Sequence, residues 1–143
     1  MRHQKSTFKL GRNSSHRKAM LSNMLKSLVE HGRIETSPTK AKELRKHADR
    51  LITIAKKDTL ASKRNAISKL RITHNPLTSK EKRAAKQGDT KAYNADRLLL
   101  SKLYGEYAVR FKERPGGYTR ILKLDYTRTG DGSERCILEY LPE

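Results

Sequence analysis

The chain has 143 residues, of which 34% are hydrophobic and 34% are charged, so it can bury one modest core but cannot cover its whole length with one. Its 33 lysines and arginines exceed its 15 aspartates and glutamates, which gives a formal net charge of +18. Because a compact state with this charge repels itself, we expect a polyanionic partner and segments that become ordered only in its presence.

Cysteine content and hydropathy limit the cellular compartments in which the protein is expected. Cys136 is the only cysteine, which excludes an internal disulfide and cannot by itself form a zinc site. No secretory signal is evident and no run of about eighteen apolar residues occurs, so neither export nor membrane spanning is expected. We expect a soluble cytoplasmic protein, and the Arg-rich, acid-poor start leaves an organellar location as the less favoured alternative.

The first 13 residues predict a basic, extended N-terminal arm. Residues 1–20 contain no acidic side chain, and Phe8 and Leu10 offer the arm one apolar docking point. Such a segment is expected to be disordered when free, and it could be no more than a solubilising tail. A single sign of charge is poor design for solubility alone, so we favour contacts to nucleic-acid phosphates. The residues predicted to make them are Arg2, His3, Lys5, Lys9 and Arg12.

An amphipathic helix is predicted to start at Ser14 or Ser15 and to end near His31. Its first turn carries cations, which the helix dipole disfavours there, so something else must favour them. A bound phosphate would favour cations there, because free backbone N–H groups at a helix start bind anions. We therefore predict an anion cradle in which a serine is also the N-cap. Its members are Asn13, Ser14, Ser15, His16, Arg17 and Lys18, flanked by Arg12.

Residues 32–57 predict a turn, a short strand and a second helix. Gly32 can close the first helix with a positive φ, residues 33–36 alternate as in a strand, and Pro38 suits a first helical position with Ser37 as N-cap. Helical spacing predicts one buried stripe, made of Ala41, Leu44, Ala48, Leu51, Ile52 and Ala55.

The opposite face of this second helix is basic. Glu43 and Asp49 are its only nearby counter-charges, which is a larger imbalance than helix solubility requires. We predict a secondary nucleic-acid contact here through Lys40, Lys42 and Arg45.

A third helix is predicted from about Thr59, with Leu60, Ile67 and Leu70 on its apolar side. Residues 73–96 are then polar, which predicts an insertion outside the core, with a short solvated helix over residues 79–86 that Ser79 or Thr78 caps. Helical periodicity returns over residues 95–111. Its apolar side is predicted to hold Leu99, Leu103, Tyr107 and Phe111.

Two alternating segments, residues 118–127 and 135–141, predict an antiparallel hairpin. The short strand over residues 33–36 is expected to pair with an edge of this hairpin, because its backbone groups need partners. We therefore predict an α+β fold in which about four helices pack with a small three-stranded sheet. A basic arm over residues 1–13 precedes a single domain over residues 14–143, with the polar insertion at about 73–96.

The turn before the hairpin has two interpretations. Glycines let a backbone approach another chain closely, and an aromatic ring and a guanidinium follow them, which are groups on which RNA bases stack. The equally favoured alternative is a tight structural turn with Tyr118 in the core, and both can hold. As RNA contacts, this segment contributes Gly116, Gly117, Tyr118, Thr119 and Arg120.

Other functions are disfavoured. The five histidines are too scattered for a metal site. A helix-capping role accounts for Ser14-Ser15-His16 with fewer assumptions than a catalytic role does. We therefore expect no catalytic residue, metal or cofactor. A DNA-architectural protein or an RNA chaperone would also be basic, but no apolar wedge or β-arm for the minor groove is evident. Membrane-surface helices are disfavoured because the apolar stripes are Ala-rich and lack tryptophan.

Several blocks of the sequence, in the same order along the chain, closely resemble family seventeen of the bacterial large-subunit ribosomal proteins. They cover residues 1–3, 11–17, 34–36, 40–45, 51–57 and 116–123. The resemblance implies a non-catalytic structural constituent of the large subunit that binds 23S rRNA near the exit of the peptide tunnel. It also implies ribosomal proteins twenty-two and thirty-two as neighbours, with no small-molecule substrate and no membrane. Residues 73–96 have no counterpart in shorter members, so the resemblance implies no contact for them.

Overall fold

The computed structural model describes residues 8–142, so Arg2, His3 and Lys5 of the predicted arm lie outside the described residues. The helices are α1 Ser14–His31, α2 Pro38–Ala55, α3 Leu60–Leu70, α4 Ser79–Lys86 and α5 Ala95–Lys102. A π-helical turn, Leu103–Tyr107, joins α5 to the short α6, Ala108–Arg110. The strands are β1 Arg33–Thr36, β2 Thr119–Thr127 and β3 Glu134–Tyr140. This composition confirms the predicted α+β class.

The three strands form one antiparallel sheet in the order β1-β3-β2. Ile34 of β1 and Ile121 of β2 both lie opposite Leu138 of the central strand. The short strand therefore pairs with the second strand of the hairpin, as predicted. The register of β2 against β3 shifts between Lys123 and Thr127, near the hairpin loop.

The core lies between the helices and one face of the sheet. Cys136, Leu138 and Tyr140 alternate along β3 as buried residues, and their neighbours 135, 137 and 139 are more exposed. All six residues of the predicted stripe on α2 are fully buried, and the four predicted apolar residues of the helical region 95–111 are also buried, at 6% exposure or less. Aromatic rings join the last helices to the sheet, because the ring centroids of Tyr107 and Tyr140 are 4.7 Å apart.

The helix ends follow the predicted chemistry with one correction. Gly32 adopts φ 76° and its N–H donates to the Leu28 carbonyl, which closes α1 as predicted. The N-cap of α1 is Asn13, whose Oδ1 accepts from the His16 N–H at 2.8 Å, so the prediction that a serine caps α1 is wrong. Ser37 occupies the predicted N-cap position of α2, although its side chain caps no backbone N–H.

The predicted apolar face of α3 is partly wrong. Leu60 is 66% exposed, whereas Ser62, Ala66 and Leu70 are buried. These three are spaced four apart and form the inner face of α3, which packs against α1 and α2. Ser62 is buried at little cost because its hydroxyl donates to the Thr59 carbonyl at 2.8 Å.

The polar region after α3 is outside the core, as expected. No residue from 71 to 98 is buried, and α4 is capped by Thr78 with reciprocal bonds to Glu81. Asp96 fastens the end of this region, because it accepts from Lys26 Nζ at 2.8 Å and from the Thr73 N–H at 2.9 Å. None of the helices in the described part of the chain is long and apolar enough to cross a membrane.

Candidate nucleic-acid interface

The described end of the arm turns back on itself immediately before α1. Leu10 and Gly11 both have positive φ, and the Arg12 N–H donates to the Lys9 carbonyl at 3.2 Å. The backbone N–H of Phe8 donates to Glu43 Oε2 at 3.4 Å, which attaches the arm to α2. The arm is therefore attached to α2 through the backbone of Phe8, and the turn leaves Lys9 and Arg12 exposed.

The start of α1 presents polar groups to solvent. Asn13 binds the His16 N–H through its side chain and the Arg17 N–H through its carbonyl. The N–H groups of Ser14 and Ser15 donate to no acceptor within residues 8–142, and their side chains are exposed. The predicted cradle therefore keeps two backbone donors and two hydroxyls, beside exposed His16 and Lys18 and half-buried Arg17.

The cations of this region have no acidic partner among the described residues. No carboxylate there lies within ion-pair distance of Lys9, Arg12, Arg17 or Lys18. Elsewhere lysines do have such partners: Lys26 lies 2.8 Å from Asp96, and Lys63 lies 2.8 Å from Asp58. The arm end and the start of α1 therefore form an uncompensated positive surface.

On α2, Lys42 and Arg45 are exposed and Lys40 is half-buried. Glu43 is a counter-charge to Lys46, as expected, but it is only 3% exposed and does not face outward. Its carboxylate contacts the Phe8 N–H, Lys46 Nζ at 3.4 Å and His47 Nε2 at 3.8 Å.

Asp49 is also not an outward counter-charge. Its Oδ1 accepts from the Tyr118 N–H at 3.2 Å and from Thr119 Oγ1 at 3.0 Å. The outer face of α2 is therefore less neutralised than its composition suggests, because Asp49 is bonded to the turn before β2 and Glu43 is buried beside Lys46 and His47.

The turn before β2 proves to be mainly structural. Tyr118 is 1% exposed and its ring centroid lies 5.2 Å from that of Phe111, so of the two interpretations the structure shows the tight turn with Tyr118 in the core. Thr119 is 9% exposed and its hydroxyl is bonded to Asp49. Arg120 is exposed but is paired with Glu139. Gly116 and Gly117 are exposed, and their carbonyls both accept from Arg114 Nε.

The predicted residues therefore form two regions along α2. The arm contacts α2 at Glu43, and the turn before β2 contacts it at Asp49 and Lys56, about two to four helical turns further on. Lys56 Nζ donates to the Arg114 carbonyl at 2.6 Å, which fixes the turn to the end of α2.

Residues 20–141 match the family model described as Ribosomal protein L17. The chain is 57% identical over 141 residues to a "Large ribosomal subunit protein bL17" of Chlamydia pneumoniae, covering 99% of each chain. It is 55% identical over 143 residues to the protein of the same name from Protochlamydia amoebophila, covering 100% of each chain. The chain belongs to the ribosomal protein L17 family. Its members are structural, non-enzymatic ribosome components, so the chain is not an enzyme, as predicted.

The L17 family model begins at Met20, after the arm and the start of α1. The two relatives nevertheless align with 99% and 100% of the chain, so the alignments extend into the basic N-terminal residues. The uncompensated positive surface therefore lies in a part of the chain that the L17 relatives also possess.

One basic cleft of this L17-family chain was not predicted as a unit. A cavity of about 310 Å³ lies between α1, α2 and α3. Sequence patterns could not bring its residues together, because they are up to 53 positions apart and only the packing of three helices makes them neighbours. Its charged and polar lining comprises Lys18, Ser22, His47, Arg50, Ser68, Lys69 and Arg71.

Burial lowers the pKa of His47 in this cleft. Glu43 acts in the opposite direction, but Lys69, Lys46 and Arg50 lower the pKa further. The imidazole of His47 is therefore neutral at pH 7, and it can hydrogen-bond or stack without adding to the local positive charge.

Proposed function

We propose that this chain is a structural constituent of the large ribosomal subunit and that it binds 23S rRNA through phosphate contacts. The observation that carries the proposal is the acid-free positive surface at the arm and the start of α1, where Lys9, Arg12, Arg17 and Lys18 have no carboxylate partner in the described chain. Cations without a carboxylate partner are available to neutralise phosphates, and each contact releases counter-ions.

The primary contacts are proposed at the arm and the cradle. The backbone N–H groups of Ser14 and Ser15 face an anion position that Arg17 flanks, and Asn13 and His16 border it. Arg2, His3 and Lys5, which lie outside the described residues, are proposed as further phosphate contacts because residues 1–20 contain no acid. This arm group comprises Arg2, His3, Lys5, Lys9 and Arg12.

Two secondary contacts are proposed. Lys40, Lys42 and Arg45 present cations on α2, where neither Glu43 nor Asp49 offsets them. The exposed backbone at Gly116 and Gly117 can approach RNA closely, with Arg120 beside it. The side chains of Tyr118 and Thr119 are not proposed as RNA contacts, because Tyr118 is buried in the core and the Thr119 hydroxyl is bonded to Asp49.

The location within the subunit rests on the family resemblance. We propose that the chain stabilises the fold of 23S rRNA near the peptide exit tunnel, beside ribosomal proteins twenty-two and thirty-two, in the cytoplasm. Site-specific crosslinking from Lys42 and from Gly117 would test this, and a large-subunit particle whose crosslinks all lie far from the tunnel would contradict it.

Sedimentation of cell lysate in rising salt tests the function itself. A constituent of the large subunit should remain with that particle at salt concentrations that release loosely bound basic proteins, because salt weakens the phosphate contacts but not the packing of an ordered fold within the particle. Release at modest salt, or sedimentation with DNA, would contradict the proposal and favour a trans-acting chaperone or a DNA-architectural protein.

A further inference from the structure

The basic cleft between α1, α2 and α3 has an apolar floor. Leu21, Leu25 and Leu51 line it, and each is less than 10% exposed. The Ser22 hydroxyl of α1 donates to the Lys69 carbonyl of α3 at 2.9 Å, which ties two walls together. The volume of about 310 Å³ is at the small end of the range for ligand sites, about 300–1,000 Å³.

The rim of the cleft is cationic and uncompensated. Lys18, Arg50, Lys69 and Arg71 come from three helix segments, and within residues 8–142 no carboxylate pairs with any of them. Glu43 contacts His47 of the cleft at 3.8 Å, but it is only 3% exposed. The rim therefore attracts a ligand with more than one negative charge.

Arg71, on the rim, has a strained backbone conformation. It is the C-cap of α3 and adopts φ 51° and ψ 47°, a left-handed conformation in which glycine is the usual residue. An arginine here puts a guanidinium beside the cleft where a glycine would fold with less strain. Strained residues of this kind concentrate at functional sites.

We propose that this cleft binds one unstacked nucleotide of single-stranded RNA. The base lies against the leucine floor beside the planar groups of His47 and Arg50, and the phosphates on either side of it are bound by Lys18, Lys69 and Arg71. RNA-binding proteins read loops and bulges in this way, with exposed bases held by apolar and planar side chains. The inference rests on the proposed rRNA-binding function and adds to it a specific site and the form of RNA that the site accepts.

The test measures binding of the full chain to three probes by fluorescence anisotropy. The probes are a nine-nucleotide single-stranded RNA, the same RNA with an abasic central nucleotide, and a polyglutamate peptide of equal charge. The intact RNA should bind about tenfold more tightly than the abasic one, since the abasic nucleotide lacks the base that the leucine floor and His47 would contact, and the peptide should bind more weakly than either. Equal affinity for the abasic RNA or for the peptide would overturn the proposal.

Variants locate the binding. The double variant Arg50→Ala, Lys69→Ala should lose about tenfold in affinity for the intact RNA. The matched control, Lys57→Ala with Arg64→Ala, removes one exposed cation just beyond α2 and one from the exposed face of α3, both outside the cleft, and should change affinity by less than about twofold. Equal losses in the two double variants would show non-specific charge and contradict the cleft.

Arg71→Gly separates binding from folding. It should leave the Tm unchanged or raise it, because it relieves the positive φ, and it should still weaken binding of the intact RNA. A lower Tm together with weaker binding would mean that Arg71 is only structural, which would overturn its role in the site. If the cleft variants bind normally but the chain still sediments with the large subunit, the cleft proposal fails and the proposed function stands.

Discussion

Asp49 on α2 accepts a hydrogen bond from the hydroxyl of Thr119 at the first residue of β2, with 3.0 Å between the two oxygens. The same carboxylate oxygen also accepts from the Tyr118 N–H at 3.2 Å. These two bonds fix the start of the hairpin to the middle of α2 and keep the Tyr118 ring against Phe111. The turn before β2, for which one interpretation was an RNA contact, is thus primarily a junction between α2 and the sheet.

Replacing Asp49 should destabilise this junction. Asp49→Ala leaves two donors without their charged acceptor, and hydrogen bonds to charged groups contribute about 1.5–3 kcal/mol each, so we expect the free energy of unfolding to fall by about 2 kcal/mol. The matched control is Asp125→Ala, an exposed aspartate of β2, which should change it by less than about 0.5 kcal/mol. Urea unfolding measures the free energy of unfolding of both variants, and an equal loss in the two would contradict a stabilising role for the Asp49 junction.

Two glycines should respond in opposite directions to the same substitution. Gly32 has φ 76°, and a Cβ there would lie 3.4 Å from the Tyr107 hydroxyl, so Gly32→Ala should cost about 1–2 kcal/mol. Gly105 lies in the π-helical turn without a positive φ and with open space at its Cβ position, so Gly105→Ala should stabilise the protein by about 0.5–1 kcal/mol. Thermal unfolding that shows the same sign for both would contradict this account of α1 termination.

Asp96 should make stability depend on pH in the acid range. Burial alone would raise its pKa, but the Lys26 ammonium and the Thr73 N–H outweigh burial and hold the pKa below the usual value of 3.8. A lowered folded-state pKa means that the stabilisation is present above about pH 4 and is lost as pH falls through the lower folded value. Asp96→Asn should therefore cost about 1–2 kcal/mol at pH 7 and less at pH 2. An equal cost at both pH values would contradict the pairing.

Apolar periodicity predicted most of the fold because the buried stripes of α2 and of residues 99–111 consist of large or strictly spaced apolar residues. It failed where small or polar residues are buried. Ser62 and Ala66 form the inner face of α3 because the helices approach closely there, and Leu60 is exposed beyond that contact. Glu43 is buried because Phe8, Lys46 and His47 satisfy it, and the partner at Phe8 is 35 positions away.

The candidate site was predicted unevenly for a similar reason. The arm and the start of α1 are continuous in sequence, so their lack of acidic residues is directly visible there. The cleft is assembled from three helices, and its strained Arg71 has no sequence signature, because any residue can follow a helix. Tyr118 was ambiguous because an aromatic residue after two glycines suits a core turn and a stacking platform equally.

The salt dependence of 23S rRNA binding tests the central claim most directly. A chain lacking residues 1–12 keeps Asn13 as the cap of α1 but loses four cations, Arg2, Lys5, Lys9 and Arg12. Lys63→Ala is the control, because that ammonium is already 2.8 Å from Asp58. If the arm binds phosphates, the slope of log affinity against log salt should become shallower by about three for the truncated chain and stay constant for the control. An unchanged slope for the truncated chain would contradict the account.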